Sequence, residues 1–208
     1  AYAIPRAWRL HGALVLAALE GAFAHLIARH EPLRSTFHEY DGQAVQGIAE
    51  PSAPNIVAEP LACSVDPEQR DQQIRAAVEE ETQRPFDLGS GPLLRVKLLR
   101  LAADDHVLVL TQHHIVSDGW SMQIMVDELI RVYAALSTGG SLDLPALPIQ
   151  YADYAIWQRH WMEAGKQERQ LSYWREQLGA IQPVLELPTD YPRPAVQSMQ
   201  GARLQVPI

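Results

Sequence analysis

The sequence predicts a mixed α/β layered domain. Three observations indicate this class: strand-like and helix-like segments alternate along the chain, two apolar strands are joined by a short polar turn, and amphipathic helices separate the strand pairs. The chain has 208 residues, of which 47% are hydrophobic and 20% charged, which is ordinary for a globular protein with a sizeable core.

The first part of the chain predicts a strand, a helix and a hairpin. Trp8–Leu10 is a short strand candidate, and apolar residues recur at helical spacing between Val15 and His30, just before a proline that ends the helix. Residues 33–39 alternate in the manner of a strand. Asp41-Gly42 then predicts a tight turn into a partner strand over 43–48.

The middle of the chain predicts a second helix and a second hairpin. Asp66 is placed as an N-cap, and the helix that follows is expected to end near Arg84. Within this helix, Glu79–Glu81 is interpreted as a solvated face. The apolar segments 93–99 and 106–112 pair through the polar turn at 102–105.

The last part is predicted to be helical up to a proline-dense segment. A helix starting near Ser121 ends around Ser137, and two further helices follow, one opening at residues 151–157 and one over Gln167–Leu178. Residues 187–208 are interpreted as a linker or extended crossover whose last five residues begin another strand.

Charge and composition exclude several classes of partner. A net charge of −8 with no basic cluster argues against nucleic acid. The single cysteine, Cys63, cannot form an intrachain disulfide and favours a reducing cytoplasm. Ala1–Pro5 has no signal-peptide pattern, and the apolar stretch 13–28 has helical periodicity with polar interruptions, so no membrane span is expected.

The segment Gln112–Ser121 carries the strongest chemical signal. Here an apolar strand ends at two histidines and a glycine turn before a helix begins. Adjacent residues of a strand point to opposite faces, so only one of His113 and His114 can address a given cavity. An imidazole suits proton transfer near neutral pH, and the N–H of Gly119, close to a helix start, is placed to stabilise an oxyanion.

The residues alone leave other interpretations of this segment open. His113, His114 and Asp118, with His106, could bind zinc, although a strand-to-turn segment does not present ligands as a helix would. Both histidines could instead be structural, with Asp118 serving only as a helix N-cap. Nucleophilic catalysis has no support, because Cys63 has no neighbouring signature and no Gly-x-Ser-x-Gly elbow occurs.

Several motifs resemble one family along almost the whole chain. HHIVSDG at 113–119 matches the HHxxxDG motif of condensation domains of nonribosomal peptide synthetases, which are related in fold to chloramphenicol acetyltransferase. The further matches, in register, are Arg29–Phe37 for RHExLRTxF with Ser35 in place of threonine, Tyr151–Trp157 for YxDYAxW, and Arg84–Leu88 with Gly91–Arg95 before the central hairpin.

The resemblance implies a chloramphenicol acetyltransferase-like lobe, with a mixed β-sheet covered by helices, and an acyltransferase reaction. In condensation domains the amine of an acceptor aminoacyl thioester attacks a donor acyl or peptidyl thioester. Peptidyl carrier proteins hold both substrates on phosphopantetheine arms. The arms are then substrates, and no cofactor or metal bound by this chain is implied.

The resemblance also implies residue roles. His114 faces the reaction centre as a base or a positioning group, and His113 is structural. Asp118 forms an ion pair with an arginine, for which Arg34 is the candidate and Arg29 the reserve. Gly119 makes the tight turn, and Trp120 and Ser121 fit the peptide-forming subtype.

Condensation domains have two lobes, and this chain resembles the N-terminal lobe. We therefore expect residues 1–186 to be that lobe and 187–208 to lead towards a C-terminal lobe, and we expect the isolated lobe to be inactive or nearly so. Neighbouring synthetase domains are further expected partners. Two alternatives remain: a non-catalytic module that docks a carrier protein or a lobe, and, more weakly, a coenzyme A-dependent acyltransferase.

Overall fold

The computed structural model describes residues 2–179, 188–192 and 194–196. The chain divides into two compact units, one spanning Tyr2–Tyr151 and the other beginning at Ala152. The predicted boundary between residues 186 and 187 and the predicted strand at 204–208 lie outside the described residues and stay predictions.

The first unit contains a four-stranded sheet, a separate hairpin and three long helices. In chain order the elements are β1 (Ala3–His11), α1 (Leu16–Arg29), a 3₁₀ turn (Glu31–Arg34), β2 (Ser35–Tyr40), β3 (Gln43–Ile48), β4 (Ala58–Pro60), α2 (Pro67–Gln83), β5 (Leu94–Ala102), β6 (Asp105–His113) and α3 (Gly119–Thr138). The predicted α/β class is confirmed, and helices α1, α2 and α3 begin and end within about two residues of their predicted positions.

The four-stranded sheet has the order β1-β6-β5-β4. Strand β6 pairs antiparallel with both β1 and β5, whereas β4 pairs parallel with β5, so the sheet is mixed. The predicted hairpins are confirmed at β5–β6 and at β2–β3. Strand β1 is longer than the predicted Trp8–Leu10, since Pro5 lies on an edge strand, where a missing N–H is tolerated.

Strand β6 is central because it is buried on both faces. Leu108 and Leu110 belong to the large apolar cluster made with α1 and α3, whereas Val107 and Val109 pack with side chains of α2 on the other face. The end of β6 is therefore held from two sides by helices. This places the histidine pair at the rim of a packed core.

The second unit is helical from Ala152 to Leu178. Helix α4 (Tyr151–Trp161) continues through a π-helical turn (Met162–Lys166), where Gly165 has a φ of 86°, into α5 (Gln167–Leu178). Its aromatic side chains contact each other, as in the stacked pair Trp157 and Trp161. Within the described part of the chain, no helix is long and apolar enough to cross a membrane.

Candidate active site at the end of strand β6

The backbone after β6 is fixed by hydrogen bonds to both neighbouring strands. His113 N–H donates to the carbonyl of Leu93 at 3.0 Å, and His114 N–H donates to the carbonyl of Tyr2 at 2.8 Å. Val116 N–H then donates back to the carbonyl of His113 at 3.1 Å and closes a turn. His113 is thus the last residue of the strand, and His114 opens the turn that leads towards α3.

The ring of His113 is half-buried and enclosed by two other rings. It lies 5.9 Å from the ring of Tyr2 and 5.9 Å, edge to face, from that of Phe86. Its Nδ1 accepts a hydrogen bond from Ile115 N–H at 3.1 Å, so the proton of the neutral ring is on Nε2. Burial and the neighbouring positive charges lower the pKa of His113, which favours the uncharged ring that this contact requires.

The ring of His114 is exposed and faces a cleft. The cleft has a volume of about 330 Å³, and its lining includes His114, Asp118, Trp120 and Ser121, together with Pro32 and Tyr151. Among the described residues, no side chain forms a hydrogen bond with this imidazole. Within the described part of the chain, both of its nitrogens are open to a substrate, whereas Nδ1 of His113 is occupied.

Asp118 caps helix α3 through a reciprocal capping box. Its Oδ1 accepts from Ser121 N–H at 2.8 Å, while Ser121 Oγ accepts from Asp118 N–H at 2.8 Å. The backbone and side-chain hydrogen bonds from Ser121 lower the pKa of Asp118. The carboxylate therefore stays ionised and neutralises much of the positive end of the helix dipole.

The ion pair predicted between Asp118 and Arg34 is not formed among the described residues. Arg34 lies at the end of the 3₁₀ turn, donates to the carbonyl of Ala49 and lies 3.7 Å from the carboxylate of Glu31. Both groups are local or on the adjacent hairpin, so the guanidinium is directed away from the start of α3. The structure therefore does not support Arg34 as the partner of Asp118.

The reserve candidate, Arg29, also has another partner. Its Nε lies 3.2 Å from both carboxylate oxygens of Glu128, and His30 Nε2 contacts the same carboxylate at 2.6 Å. Glu128 is on α3 and is largely buried at this junction. Sequence reasoning missed Glu128, because nothing in its local spacing distinguishes it from a solvated helix residue.

Gly119 does not make the tight turn that was expected of it. It is the first residue of α3, its φ is not in the left-handed region, and a Cβ built on it meets no atom within 4 Å. The absence of a side chain instead leaves the space above its Cα open next to the cleft. Close approach of a ligand, rather than backbone strain, is the role that this geometry allows.

The described residues contain no cluster of three or more potential metal ligands. His106 is buried near the start of β6, at the opposite end of the strand from the histidine pair. The strand therefore keeps this ring away from His114 and Asp118. The four residues considered for zinc are not brought together.

The sequence of the chain matches a known protein family. The sequence model for the condensation domain matches residues 1–208, which is the whole chain. The chain belongs to the condensation domain family. Condensation domains have the chloramphenicol acetyltransferase-like fold, so the predicted fold is confirmed.

Curated relatives of this chain are named as synthases or synthetases. The chain is 47% identical over 201 residues to a linear gramicidin synthase polypeptide of Brevibacillus parabrevis, covering 97% of the chain and 3% of the relative. It is 44% identical over 205 residues to malpinin synthetase of Mortierella alpina (99% and 3%) and 41% identical over 202 residues to phosphinothricin tripeptide synthetase PhsC of Streptomyces viridochromogenes (97% and 18%). The chain thus spans a small part of each relative.

The chain also resembles part of each of several longer chains of known structure. The X-domain from teicoplanin biosynthesis matches with a TM-score of 0.83 and 30% identity, covering 94% of this chain and 42% of that one. The starter condensation domain of rhizomide synthetase RzmA matches in fold with a TM-score of 0.74, 22% identity and coverage of 86% and 42%. The chain therefore spans less than half of these solved chains.

Proposed function

We propose that this chain supplies the His114-bearing wall of a site that joins a donor acyl or peptidyl thioester to an acceptor aminoacyl thioester. The observation that carries the proposal is the contrast within the histidine pair: His113 is enclosed and hydrogen-bonded, whereas His114 opens into a cleft with no partner among the described residues. An exposed imidazole on a rigid strand end suits a group that must meet a substrate proton.

The proposed chemistry is aminolysis of a thioester. The acceptor amine nitrogen forms a bond to the donor carbonyl carbon, the carbon–sulfur bond breaks, and the amine proton ends on the departing thiolate. His114 orients the amine through a hydrogen bond or carries its proton. The open space above Gly119 lets the reacting backbone come close to the turn.

Both substrates are proposed to arrive on phosphopantetheine arms of peptidyl carrier proteins. A thioester on a long, thin arm can enter the cleft that His114 faces, which a folded carrier protein cannot enter. The second wall of the site is proposed to come from a C-terminal lobe, because solved relatives are more than twice as long as the matched region. Since positioning supplies much of an enzyme's rate, one wall alone should catalyse poorly.

The test is a complementation assay. The chain is combined with a C-terminal condensation lobe and two loaded carrier proteins, and peptide formation is followed by mass spectrometry. We expect His114→Ala to reduce the rate by about 100-fold or more, the typical contribution of a proton-transfer group. His11→Ala is the matched control, because His11 is also exposed but lies at the opposite end of the sheet.

A docking module is the second candidate function. It is favoured by the likeness to the X-domain from teicoplanin biosynthesis, which has been solved in a complex with OxyB. A docking module would bind a carrier or partner domain with equal affinity in the wild type and in His114→Ala. Retained peptide formation in His114→Ala would reject the catalytic assignment, and binding without any peptide formation in the wild type would favour docking.

A further inference from the structure

A continuous series of side-chain contacts runs from helix α2 to the histidine pair. It begins at Glu81, which is 2% exposed although Glu79–Glu81 was predicted to be a solvated face. Arg95 Nε donates to Glu81 Oε1 at 2.6 Å, and the Arg95 guanidinium carbon lies 3.8 Å from the centre of the Phe86 ring. The edge-to-face contact between Phe86 and His113 completes the series.

Arg95 is held in one orientation by several acceptors. Besides the carboxylate of Glu81, it donates to the backbone carbonyls of Glu81 and Arg84 at 3.0 Å each and to that of Pro85 at 3.2 Å. These carbonyls belong to the last turn of α2 and the residues just after it, where a guanidinium satisfies free acceptors. The planar fork therefore fixes both the end of the helix and the face that Arg95 presents to Phe86.

Phe86 connects Arg95 to His113, because its ring contacts both side chains. A cation over an aromatic face is attractive, and an edge-to-face ring pair has a preferred geometry, so both contacts restrict the rotation of the Phe86 ring. His113 cannot turn its ring without losing the contact with Phe86 or the hydrogen bond from Ile115 N–H. That hydrogen bond shapes the turn on which the His114 side chain is carried.

We propose that Phe86 and Arg95 are positioning residues, which set the direction of His114 by fixing the ring and tautomer of His113. The inference rests on the proposed condensation function, but its first test does not. A simple structural role for Arg95 would stabilise the contact between α2 and the sheet without any effect on the state of the His113 ring. The two roles therefore differ in what a substitution does at His113.

The first test is ¹⁵N NMR of the imidazole nitrogens in the 208-residue chain. In the wild type we expect His113 to be neutral with its proton on Nε2. In Phe86→Leu and Arg95→Lys we expect its Nδ1 and Nε2 signals to move towards tautomer averaging, together with the amide signal of Ile115. Arg9→Lys is the matched control, because Arg9 also binds a carboxylate, Asp105, with two hydrogen bonds, at the far end of β6.

The second test is the rate of peptide formation in the complemented system. We expect kcat to fall about tenfold in Phe86→Leu and Arg95→Lys while KM for either carrier changes less than twofold, because a misdirected group lowers the rate without weakening binding. Phe86→Tyr keeps the ring and should restore kcat. Arg9→Lys should behave as the wild type.

Failure of this inference and failure of the proposed function give different results. Unchanged His113 signals in Phe86→Leu and Arg95→Lys overturn the inference, whatever the activity. Moved signals with unchanged kcat overturn it as well. A wild type that forms no peptide in the complemented system would reject the proposed function. The NMR result would then still decide whether Phe86 and Arg95 fix the His113 ring.

Discussion

The two faces of the sheet differ sharply where β6 ends. On the face covered by α2, His113, Phe86, Arg95 and Glu81 contact one another in sequence and are largely shielded. On the side of the cleft, His114 and Trp120 are exposed, and Trp120 has 80% of its surface open to solvent. His113, the last residue of β6, and His114, the first residue of the turn, thus have opposite surroundings.

This difference agrees with the proposed roles, in which His113 supports the turn and His114 meets the substrate. A histidine whose pKa is lowered by burial and whose Nδ1 is occupied cannot readily exchange protons with a substrate. Its open neighbour can, and it is carried on a backbone that the enclosed ring stabilises. The division falls where the strand ends, since His113 is the last residue of β6 and His114 already lies in the turn.

The largest expected effect follows from breaking the enclosed face at its buried carboxylate. Burial raises the pKa of Glu81, but hydrogen bonds from Arg95 and Arg84 outweigh it and hold the pKa below its ordinary value. Glu81→Gln leaves Arg95 without its counter-charge, so we expect a loss of about 3 kcal/mol in unfolding free energy by urea denaturation. Glu168→Gln, in the exposed pair with Arg175, should cost less than about 0.5 kcal/mol. Equal losses of unfolding free energy in Glu81→Gln and Glu168→Gln would contradict the claim that the buried ion pair on the α2 face stabilises the fold.

A smaller effect is expected on the cleft side, at the helix cap. Asp118→Ala removes the acceptor for Ser121 N–H and should lower the unfolding free energy by about 1 kcal/mol. Asp118→Asn keeps an oxygen acceptor and should recover most of the loss. If Asp118→Asn were as unstable as the alanine variant, the carboxylate would be stabilising the fold through an ion pair rather than through the cap.

The smallest effect is a dependence on pH. Because burial lowers the pKa of His113 from about 6.5, the folded state favours the neutral ring, and this contribution is fully present above about pH 6.5 and lost as the pH falls below it. The unfolding free energy of the wild type relative to His113→Phe should therefore be constant above that pH and decrease towards pH 5. The carboxylates with lowered pKa values are present in both proteins, so their contributions cancel in this difference. A relative stability that rises on acidification would contradict an enclosed neutral His113.

Local patterns predicted most of the fold. Helical periodicity located α1, α2 and α3, and Asp66 caps α2 as expected, accepting from Glu68 N–H and Gln69 N–H. The Asp41-Gly42 turn and the β5–β6 hairpin follow from turn chemistry between apolar runs. The three-residue strand β4 was missed in a proline-rich loop, because a short parallel edge leaves no periodic signal.

The surroundings of the candidate site residues were predicted where one segment determines them and missed where distant segments meet. Strand alternation predicted different surroundings for His113 and His114, although the strand ends at His113 and His114 lies in the turn. The partners of Arg34 and the burial of Glu81 depend on which elements pack together, which no short pattern encodes. A charged run on a helix is interpreted as solvated unless a cation on a facing strand, here Arg95, is known to lie opposite.

The most direct measurement compares the unfolding free energies of His113→Ala and His114→Ala with that of the wild type by urea denaturation. Removing His113 leaves Ile115 N–H without its acceptor and Phe86 without its ring contact, so we expect a loss of about 2 kcal/mol. Removing the exposed His114 should change stability by less than about 0.5 kcal/mol. Equal losses, or a larger loss for His114→Ala, would contradict the division between a supporting and a reacting histidine.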